Sequence, residues 1–304
     1  MRSLVKDVRK QWMLWLMVLP GILYVLIFNY LPMAGIVMAF QQLDLRKGVL
    51  TSPFVGFDNF KFLFASTDAW IITRNTVLYN AAFIVTKMFY SVGLAVIIHE
   101  LRNKRFAKIS QTILIMPYFL SVVVVATIVF AFLSPASGFV NSFLQQMGKS
   151  QVIWYNERSF WPPFLVGLNL WMAGGYSAIV YVAVLSGIPK DYYEAALIDG
   201  ATKWQQFKSI TLPQLRFIIA INLINSVGHI FKTGLGLFYT VPRNSGVLFP
   251  VTQTLDTYIF RGMQSMSNLG MTTAAGLYQS VVGLIMVLIA NKIISKIDSE
   301  AAMF

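Results

Sequence analysis

Six long apolar stretches restrict what this chain can fold into more than any other feature of its sequence. They lie at about 12–40, 71–99, 109–133, 163–187, 214–240 and 271–294. Each is longer than the roughly 20 apolar residues that a helix needs to cross a bilayer. Backbone groups in lipid must be satisfied within a helix or a closed barrel, and these runs lack the period of two of barrel strands. The pattern predicts an all-α membrane protein with six transmembrane helices.

The composition excludes several classes of protein. Of 304 residues, 57% are hydrophobic and only 12% are charged, which is typical of a polytopic membrane protein and not of a soluble enzyme. The chain has no cysteine and two histidines, which excludes a disulfide framework and argues against a metal centre. There is no GxxxxGK[ST], HExxH or GxSxG motif, so we expect no catalytic residues and no cofactor bound by this chain.

The excess of cations indicates the orientation. The chain has 24 Lys and Arg residues against 12 Asp and Glu. With the N-terminus in the cytoplasm, the inner segments hold twice as many cations as the outer loops, as the positive-inside rule requires. We therefore expect a multi-pass membrane protein with both termini cytoplasmic, and no nucleic-acid partner. The predicted parts are 1–70 (first span and outer loop), 71–294 (core of five spans) and 295–304 (cytoplasmic tail).

The inner loop at 188–213 carries the most informative motif. Its residues 194–213 read EAALIDGATKWQQFKSITLP. Small alanines let a partner approach closely, a glycine turns the chain, and two aromatics three apart form an apolar knob on a second short helix. The proline is expected to begin the next span. The residues of this loop that are expected to form the contact with such a partner are Glu194, Ala195, Ala196, Gly200, Trp204, Phe207 and Pro213.

The spacing EAA-x3-G-x9-I-x-LP resembles the EAA loop of permease subunits of ABC importers. Segments 54–60 (FVGFDNF), 255–261 (LDTYIFR) and 288–292 (LIANK) are similar to the sugar branch of that family, the maltose-type group of LplB-like or UgpA-like permeases. The resemblance covers most of the chain. It implies the type I importer permease fold with six spans.

The resemblance also implies the partners. In the family, the EAA loop sits in a cleft on a nucleotide-binding subunit, and closure of that subunit moves the loop as a lever. Two such ATPase subunits bind ATP and Mg, a homologous second permease completes the pore, and an extracytoplasmic solute-binding protein delivers the substrate. The lipid bilayer surrounds the assembly, and this chain is expected to be a transport subunit and not an enzyme.

The family register places the substrate pathway on the helices that flank the EAA loop. Amide, hydroxyl, imidazole and phenol groups spaced three and four apart share one helix face and can bind sugar hydroxyls. The alternative is ordinary hydrogen bonding between helices of the bundle. The expected pathway residues are Asn169, Met172 and Tyr176 upstream, and Asn222, Asn225, Ser226, His229, Lys232 and Thr233 downstream.

Two departures from the family suggest the kind of sugar. His229 stands where an amide is expected, and no acidic residue follows Gly234 closely. Because Lys232 adds a positive charge, we hypothesise an acidic, uronate-containing oligosaccharide; the alternative is that Lys232 reaches the outer interface. Lys87 lies deeper in its span, where a lone lysine costs about 2.5–3.5 kcal/mol on insertion scales, so we expect a polar partner or water there.

Two rival functions remain open at this point. The first is a self-sufficient secondary transporter or channel, against which the EAA loop and the lack of carboxylates within the spans both argue. The second is an integral membrane enzyme, which would need a catalytic constellation at membrane depth. We expect import of a carbohydrate by alternating access, driven by ATP hydrolysis in partner subunits.

Overall fold

The computed structural model describes residues 11–44, 46–49, 51–265 and 268–297. These ranges form helices and turns, with one isolated β-bridge between Gln41 and Phe54. The all-α prediction is therefore confirmed for the described part of the chain. The basic segment 1–10 and most of the expected tail 295–304 lie outside the described residues.

The first span stands apart from the rest of the bundle. Helix α1 (Trp12–Val25) continues through a π turn (Leu26–Tyr30) and a 3-10 turn (Leu31–Phe40) as one apolar rod of 29 residues. All residues from 11 to 34 are exposed, and only the far end packs on the last helix of the chain. A rod of this kind needs lipid or another protein along most of its length.

Two long helices form the centre of the bundle. The short α2 (Lys61–Ala65) leads into α3 (Thr67–Glu100), which packs along α7 (Trp161–Ser186). Ser66 caps α3 by accepting a hydrogen bond from the Ala69 amide at 3.1 Å. We call the end of the bundle that the sequence predicts to face away from the cytoplasm the outer end, and the opposite end the inner end. In their outer halves, the two helices enclose an aromatic core that includes Tyr79, Phe83 and the fully buried Trp161.

The third predicted span is not one straight helix. Helix α4 (Lys104–Ile115) runs into a 3-10 turn (Met116–Phe119), and α5 (Val122–Leu133) follows at an angle of 94°. Pro117 lacks the N–H that a helix needs, and Ser121 caps α5 through the Val124 amide at 3.3 Å. The described residues thus hold five unbroken spanning helices, and six spans if the bent pair is one.

The outer connection 134–162 is tightly packed. It contains α6 (Phe139–Gln146) and a 3-10 turn (Trp154–Asn156). The buried Asn141 organises it: its amide donates to the Val152 carbonyl at 2.9 Å, and its oxygen accepts from the Trp154 indole at 3.2 Å. These hydrogen bonds give the loop a defined conformation at the outer end of the bundle.

The fifth predicted span begins and ends earlier than expected. After α8 (Lys190–Ile198), α9 (Lys203–Gln206), a π turn (Phe207–Thr211) and α10 (Leu212–Gly228) form one continuous helix of 26 residues. Pro213 therefore lies inside the helix and does not begin it. In the π turn, the Leu212 N–H donates to the Phe207 carbonyl, and this wider turn lets the helix continue although Pro213 has no N–H to donate.

Beyond Gly228 the chain unwinds, whereas the sequence predicted helix to residue 240. A turn through 229–234 leads to α11 (Leu235–Tyr239), a 3-10 turn (Gly246–Leu248), α12 (Phe249–Thr252), α13 (Leu255–Ser265) and α14 (Leu269–Ile297). This outer segment is tied to α3, because Asn75 donates to the Gln253 carbonyl at 2.9 Å and Tyr79 to the Val251 carbonyl at 2.7 Å.

Candidate functional site

A polar cavity lies between α3, α7 and α10. It has a volume of about 130 Å³, and its lining includes apolar residues such as Ile84 and Leu223. Its polar lining comes from all three helices and consists of Lys87, Ser91, Tyr176, Ser177, Tyr181, Asn222, Asn225 and Ser226. Such a mixture of apolar walls and a few hydrogen-bonding groups is typical of a small-molecule site.

The lining groups differ in how much of their hydrogen-bonding capacity is used. Ser91 is buried and donates to the Gly174 carbonyl at 3.0 Å, which joins α3 to α7. The Asn222 amide lies 3.5 Å from the Tyr181 hydroxyl, at the long limit for a hydrogen bond. Asn225 and Tyr176 are exposed, so their polar groups are accessible to a ligand.

An aromatic pair stands at the edge of the cavity. The rings of Tyr118 and Tyr176 stack with centroids 4.2 Å apart and planes 8° from parallel, and each side chain is 47% exposed. The 3-10 turn after α4 carries Tyr118, so the break in the third span places this ring against α7. An exposed aromatic face of this kind can pack against a sugar ring.

Lys87 is the cation of this site. It projects from α3 near the middle of that helix and is partly buried. Among the described residues, no carboxylate oxygen lies within 4.0 Å of its ammonium group. Lys87 therefore lines the cavity without a carboxylate partner among the described residues.

Four of the nine predicted pathway residues line this cavity: Tyr176, Asn222, Asn225 and Ser226. The other upstream residues do not. Met172 packs against the aromatic core of the outer half, and Asn169 lies about two helical turns from Tyr176 towards the outer end of α7.

The predicted helix face does not extend to His229, Lys232 and Thr233, and their place in the pathway stays a prediction. These residues lie beyond the end of α10, so they do not share a helix face with Ser226. His229 is exposed, with its Nδ1 2.8 Å from the Asn225 carbonyl, and Lys232 is exposed as well. Thr233 is buried and turned away from the cavity towards Asp256.

Asp256 holds the unwound segment in place. One carboxylate oxygen accepts hydrogen bonds from the Thr233 amide at 2.6 Å, the Thr233 hydroxyl at 3.0 Å and the Gly234 amide at 3.1 Å. The other accepts from Gln279 of α14 at 2.8 Å. The sequence had indicated no acidic group close after Gly234; in the folded chain, one reaches Gly234 from α13.

The predicted helix–turn–helix forms a projection at the inner end of the bundle. Helix α8 ends at Ile198, Gly200 turns the chain with a φ of +79°, and Thr202 caps α9 in a capping box with Gln205. Trp204 is 69% exposed, and its ring stacks on Phe207 at 5.3 Å. Glu194 and Ala195 on α8 are also exposed, and Ala196 is partly buried.

This projection is anchored to the spans by polar contacts. Lys203 pairs with Glu100 at the inner end of α3, with Nζ and Oε2 2.8 Å apart. The hydroxyls of Tyr193 and Thr211 are 3.0 Å apart, and Tyr193 also packs on the core around Leu215. Contacts with α3 and with the start of α10 thus hold the two sides of the turn.

Three features of the cavity do not follow from the sequence patterns. Lys87 was recognised as a buried charge, but nothing in the sequence placed it beside Tyr176 and Asn225. Tyr118 was hidden inside a stretch read as one span, although Pro117 was a signal for a break. Ser177 directly follows Tyr176 in the sequence, so a search for polar residues three or four positions apart on one helix face does not include it.

Comparison with known proteins gives a consistent result. A family model described as "Binding-protein-dependent transport system inner membrane component" matches residues 91–299. The chain is 31% identical to the protein LplB of Bacillus subtilis, over 96% of this chain and 91% of that one. It is 30% identical to the polygalacturonan/rhamnogalacturonan transport system permease protein YteP of the same organism, over 98% and 92% of the two chains.

Solved structures are similar along nearly the whole chain. A crystal structure described as a bacterial ABC transporter involved in import of the acidic polysaccharide alginate matches with a TM-score of 0.88 and 34% identity, over 97% of this chain and 99% of that one. A bacterial alginate ABC transporter in complex with an alginate pentasaccharide-bound periplasmic protein matches with a TM-score of 0.86 and 34% identity, over 96% and 97%. The predicted importer permease fold is confirmed.

Proposed function

Because this chain belongs to the family of binding-protein-dependent transport system inner membrane components, we propose that it imports an acidic oligosaccharide as one permease subunit of an ATP-driven complex. Permeases of this family are transport subunits, so ATP hydrolysis belongs to partner chains. The proposed cargo is a chain of uronate-containing sugars. The similarity to a polygalacturonan/rhamnogalacturonan transport system permease and to the structure of an ABC transporter involved in alginate import supports that class.

One structural observation carries the proposal: a single helix joins the inner projection to the cavity. The helix Lys203–Gly228 begins beside Trp204 and ends beside Ser226. At 1.5 Å per residue, it spans about 39 Å. Movement of the helix at Trp204 would therefore also displace Asn222, Asn225 and Ser226 near its other end. An ATP-driven importer needs such a mechanical link.

The inner projection is the proposed docking site for a nucleotide-binding subunit. Its surface residues Trp204, Ile198 and Leu197 are 69%, 86% and 66% exposed, an apolar set that a soluble partner would bury. The small Ala195 allows that partner to approach the backbone of α8. Two ATPase subunits, binding ATP and Mg, would contact this chain and a homologous second permease.

The other partners follow from the remaining surfaces. The exposed apolar length of the first span (12–34) is proposed to face lipid and the second permease. The packed outer loop 134–162 and the segment 241–265 are proposed to dock an extracytoplasmic binding protein that delivers the sugar. We propose that both termini lie in the cytoplasm and that the chain lies in the bacterial inner membrane.

Uptake by the reconstituted importer tests this function. We expect ATP-dependent accumulation of an oligouronate in proteoliposomes that contain the complete complex and the loaded binding protein. Trp204→Ala should leave the complex folded, because the side chain is exposed, but should weaken ATPase binding and reduce uptake at least about tenfold, as for an interface anchor. Gly200→Asp, at the left-handed turn, should uncouple ATP hydrolysis from transport.

Trp70→Ala is the matched control. Trp70 is 66% exposed, but it lies at the outer end of α3, away from the projection. It should leave ATPase binding unchanged. Uptake by this chain without ATPase subunits would instead support a secondary transporter or a channel and would overturn the proposal.

A further inference from the structure

Lys87 is a charge that the described fold does not neutralise. The three helices that line its cavity contain two carboxylates, Asp68 and Glu100, and both stand at the ends of α3. Glu100 is paired with Lys203 at the inner face. Placing a lysine within a membrane-spanning segment costs free energy, so such a lysine generally faces a polar interior or a partner of opposite charge.

The groups around Lys87 match one chemical class. Tyr176, Asn222 and Asn225 offer a phenol and two amides, and Ser177 and Ser226 offer hydroxyls. These groups bind sugar hydroxyls, whereas the ammonium binds an anion. A cavity of about 130 Å³ has room for a carboxylate and adjoining hydroxyls, since water occupies about 30 Å³ per molecule in the liquid.

The aromatic pair completes the arrangement. Tyr176 lines the cavity and stacks on Tyr118, and both residues are exposed. A sugar ring lying on this face would point its substituents towards the polar lining. Lys232, the cation that the sequence favoured, lies in the turn after α10 and does not line this cavity.

We propose that Lys87 binds the carboxylate of each uronate unit in transit and is the residue that makes the pathway selective for acidic over neutral oligosaccharides. This inference rests on the proposed function and identifies the group that recognises the substrate class. In this arrangement, Lys87 selects charge, Tyr176 packs on the ring, and the amides of Asn222 and Asn225 hold hydroxyls. The carboxylate replaces the hydration that the ammonium loses within the membrane.

The experiment compares one oligouronate with its carboxyl-reduced form, which has the same length and linkage but no charge. Equilibrium binding of each to the assembled complex in nanodiscs, without the binding protein, isolates the membrane site. Lys87→Gln should weaken binding of the oligouronate by at least about tenfold, because a charge-assisted hydrogen bond is lost. Binding of the carboxyl-reduced form should change less than about twofold, and Lys87→Arg should retain preference for the acid.

Two further variants make the result specific. Lys296→Gln removes an exposed lysine at the inner end of α14 and should leave both affinities unchanged. Lys232→Gln tests the rival cation. A selective loss of oligouronate binding in Lys232→Gln with none in Lys87→Gln would overturn the inference.

A structural role for Lys87 predicts a different pattern. If Lys87 paired with a carboxylate of the second permease, Lys87→Gln would lower the thermal stability of the ligand-free complex and weaken both sugars equally, which would also overturn the inference. Failure of the wild-type complex to bind or import any carbohydrate would overturn the proposed function itself. Wild-type binding of both sugars with equal affinity would overturn only the role of Lys87.

Discussion

At the residue scale, the outer end of α10 depends on one carboxylate. Asp256 accepts hydrogen bonds from two backbone amides and a hydroxyl in the turn, and from Gln279 of the last helix. The chain unwinds at Gly228, and its free amides need acceptors in the membrane interior. Asp256 supplies them from a distant part of the sequence.

Replacement of this carboxylate should therefore loosen the turn. In Asp256→Asn, an NH₂ group replaces one acceptor and faces donors, so we expect a loss of about 1–3 kcal/mol in the free energy of unfolding. Thermal unfolding of the purified complex measures it. Asp58→Asn is the control, since Asp58 forms an exposed pair with Lys61 that contributes little. An equal midpoint for both variants would contradict this account of the turn.

The tyrosine pair gives a second prediction at this scale. Tyr176→Ala removes a ring that stacks at 4.2 Å on Tyr118, and it should reduce uptake of the oligosaccharide about fivefold, in line with about 1 kcal/mol for an aromatic contact. Tyr176→Phe keeps the ring and should retain most of the uptake. If Tyr176→Phe were as impaired as Tyr176→Ala, the hydroxyl and not the ring face would be the important group.

At the scale of the elements, close backbone approach decides how α4 crosses α7. A Cβ added to Gly175 would lie 1.9 Å from the Leu114 carbonyl oxygen, so only glycine permits this crossing. The crossing in turn sets the 3-10 turn after α4, and with it Tyr118, against Tyr176. A small residue in one helix thus positions an aromatic ring of another.

Gly175→Ala should push the two helices apart. Because the clash is with backbone, we expect a cost of about 1–3 kcal/mol, seen as a lower midpoint of thermal unfolding and a smaller yield of assembled complex. Gly167→Ala is the control within the same helix, since a Cβ there would meet nothing within 4 Å. The same loss in both variants would show that glycine content, and not the crossing, matters.

At the scale of the whole molecule, one helix (Lys203–Gly228) connects the inner projection to the cavity. The inner projection and the outer loops 134–162 and 241–265 lie at opposite ends of the bundle, and the cavity lies between them. The excess of basic residues in the inner segments predicts which end meets the cytoplasm. The orientation remains a prediction that labelling can test.

The absence of cysteine makes that test simple. A membrane-impermeant maleimide should label Ser209→Cys, beside the inner projection, in inside-out vesicles and not in intact spheroplasts. It should label Gln146→Cys, at the end of α6, in spheroplasts only. Both positions are exposed in this chain, so the maleimide can reach each of them from the side that it faces. The opposite pattern would reverse the proposed topology.

Many elements of the fold could be predicted because each depends on residues that are close together in the sequence. Bilayer burial depends on the summed hydropathy of about 20 neighbouring residues, so the spans could be counted from the sequence. The turn at Gly200 and the cap at Thr202 depend on residues a few positions apart. The exposed Trp204 and the partly buried Phe207 beside it follow from the same short motif.

Tertiary structure alone decided the geometry of the site. The end of α10 at Gly228 depends on Asp256 and Gln279, which are far from it in sequence, so three predicted pathway residues were placed on a helix that does not extend to them. Lys87 meets Tyr176 because α3 packs along α7. Hydropathy specifies that a segment enters the membrane, whereas the face that lines a cavity depends on contacts between helices that composition does not encode.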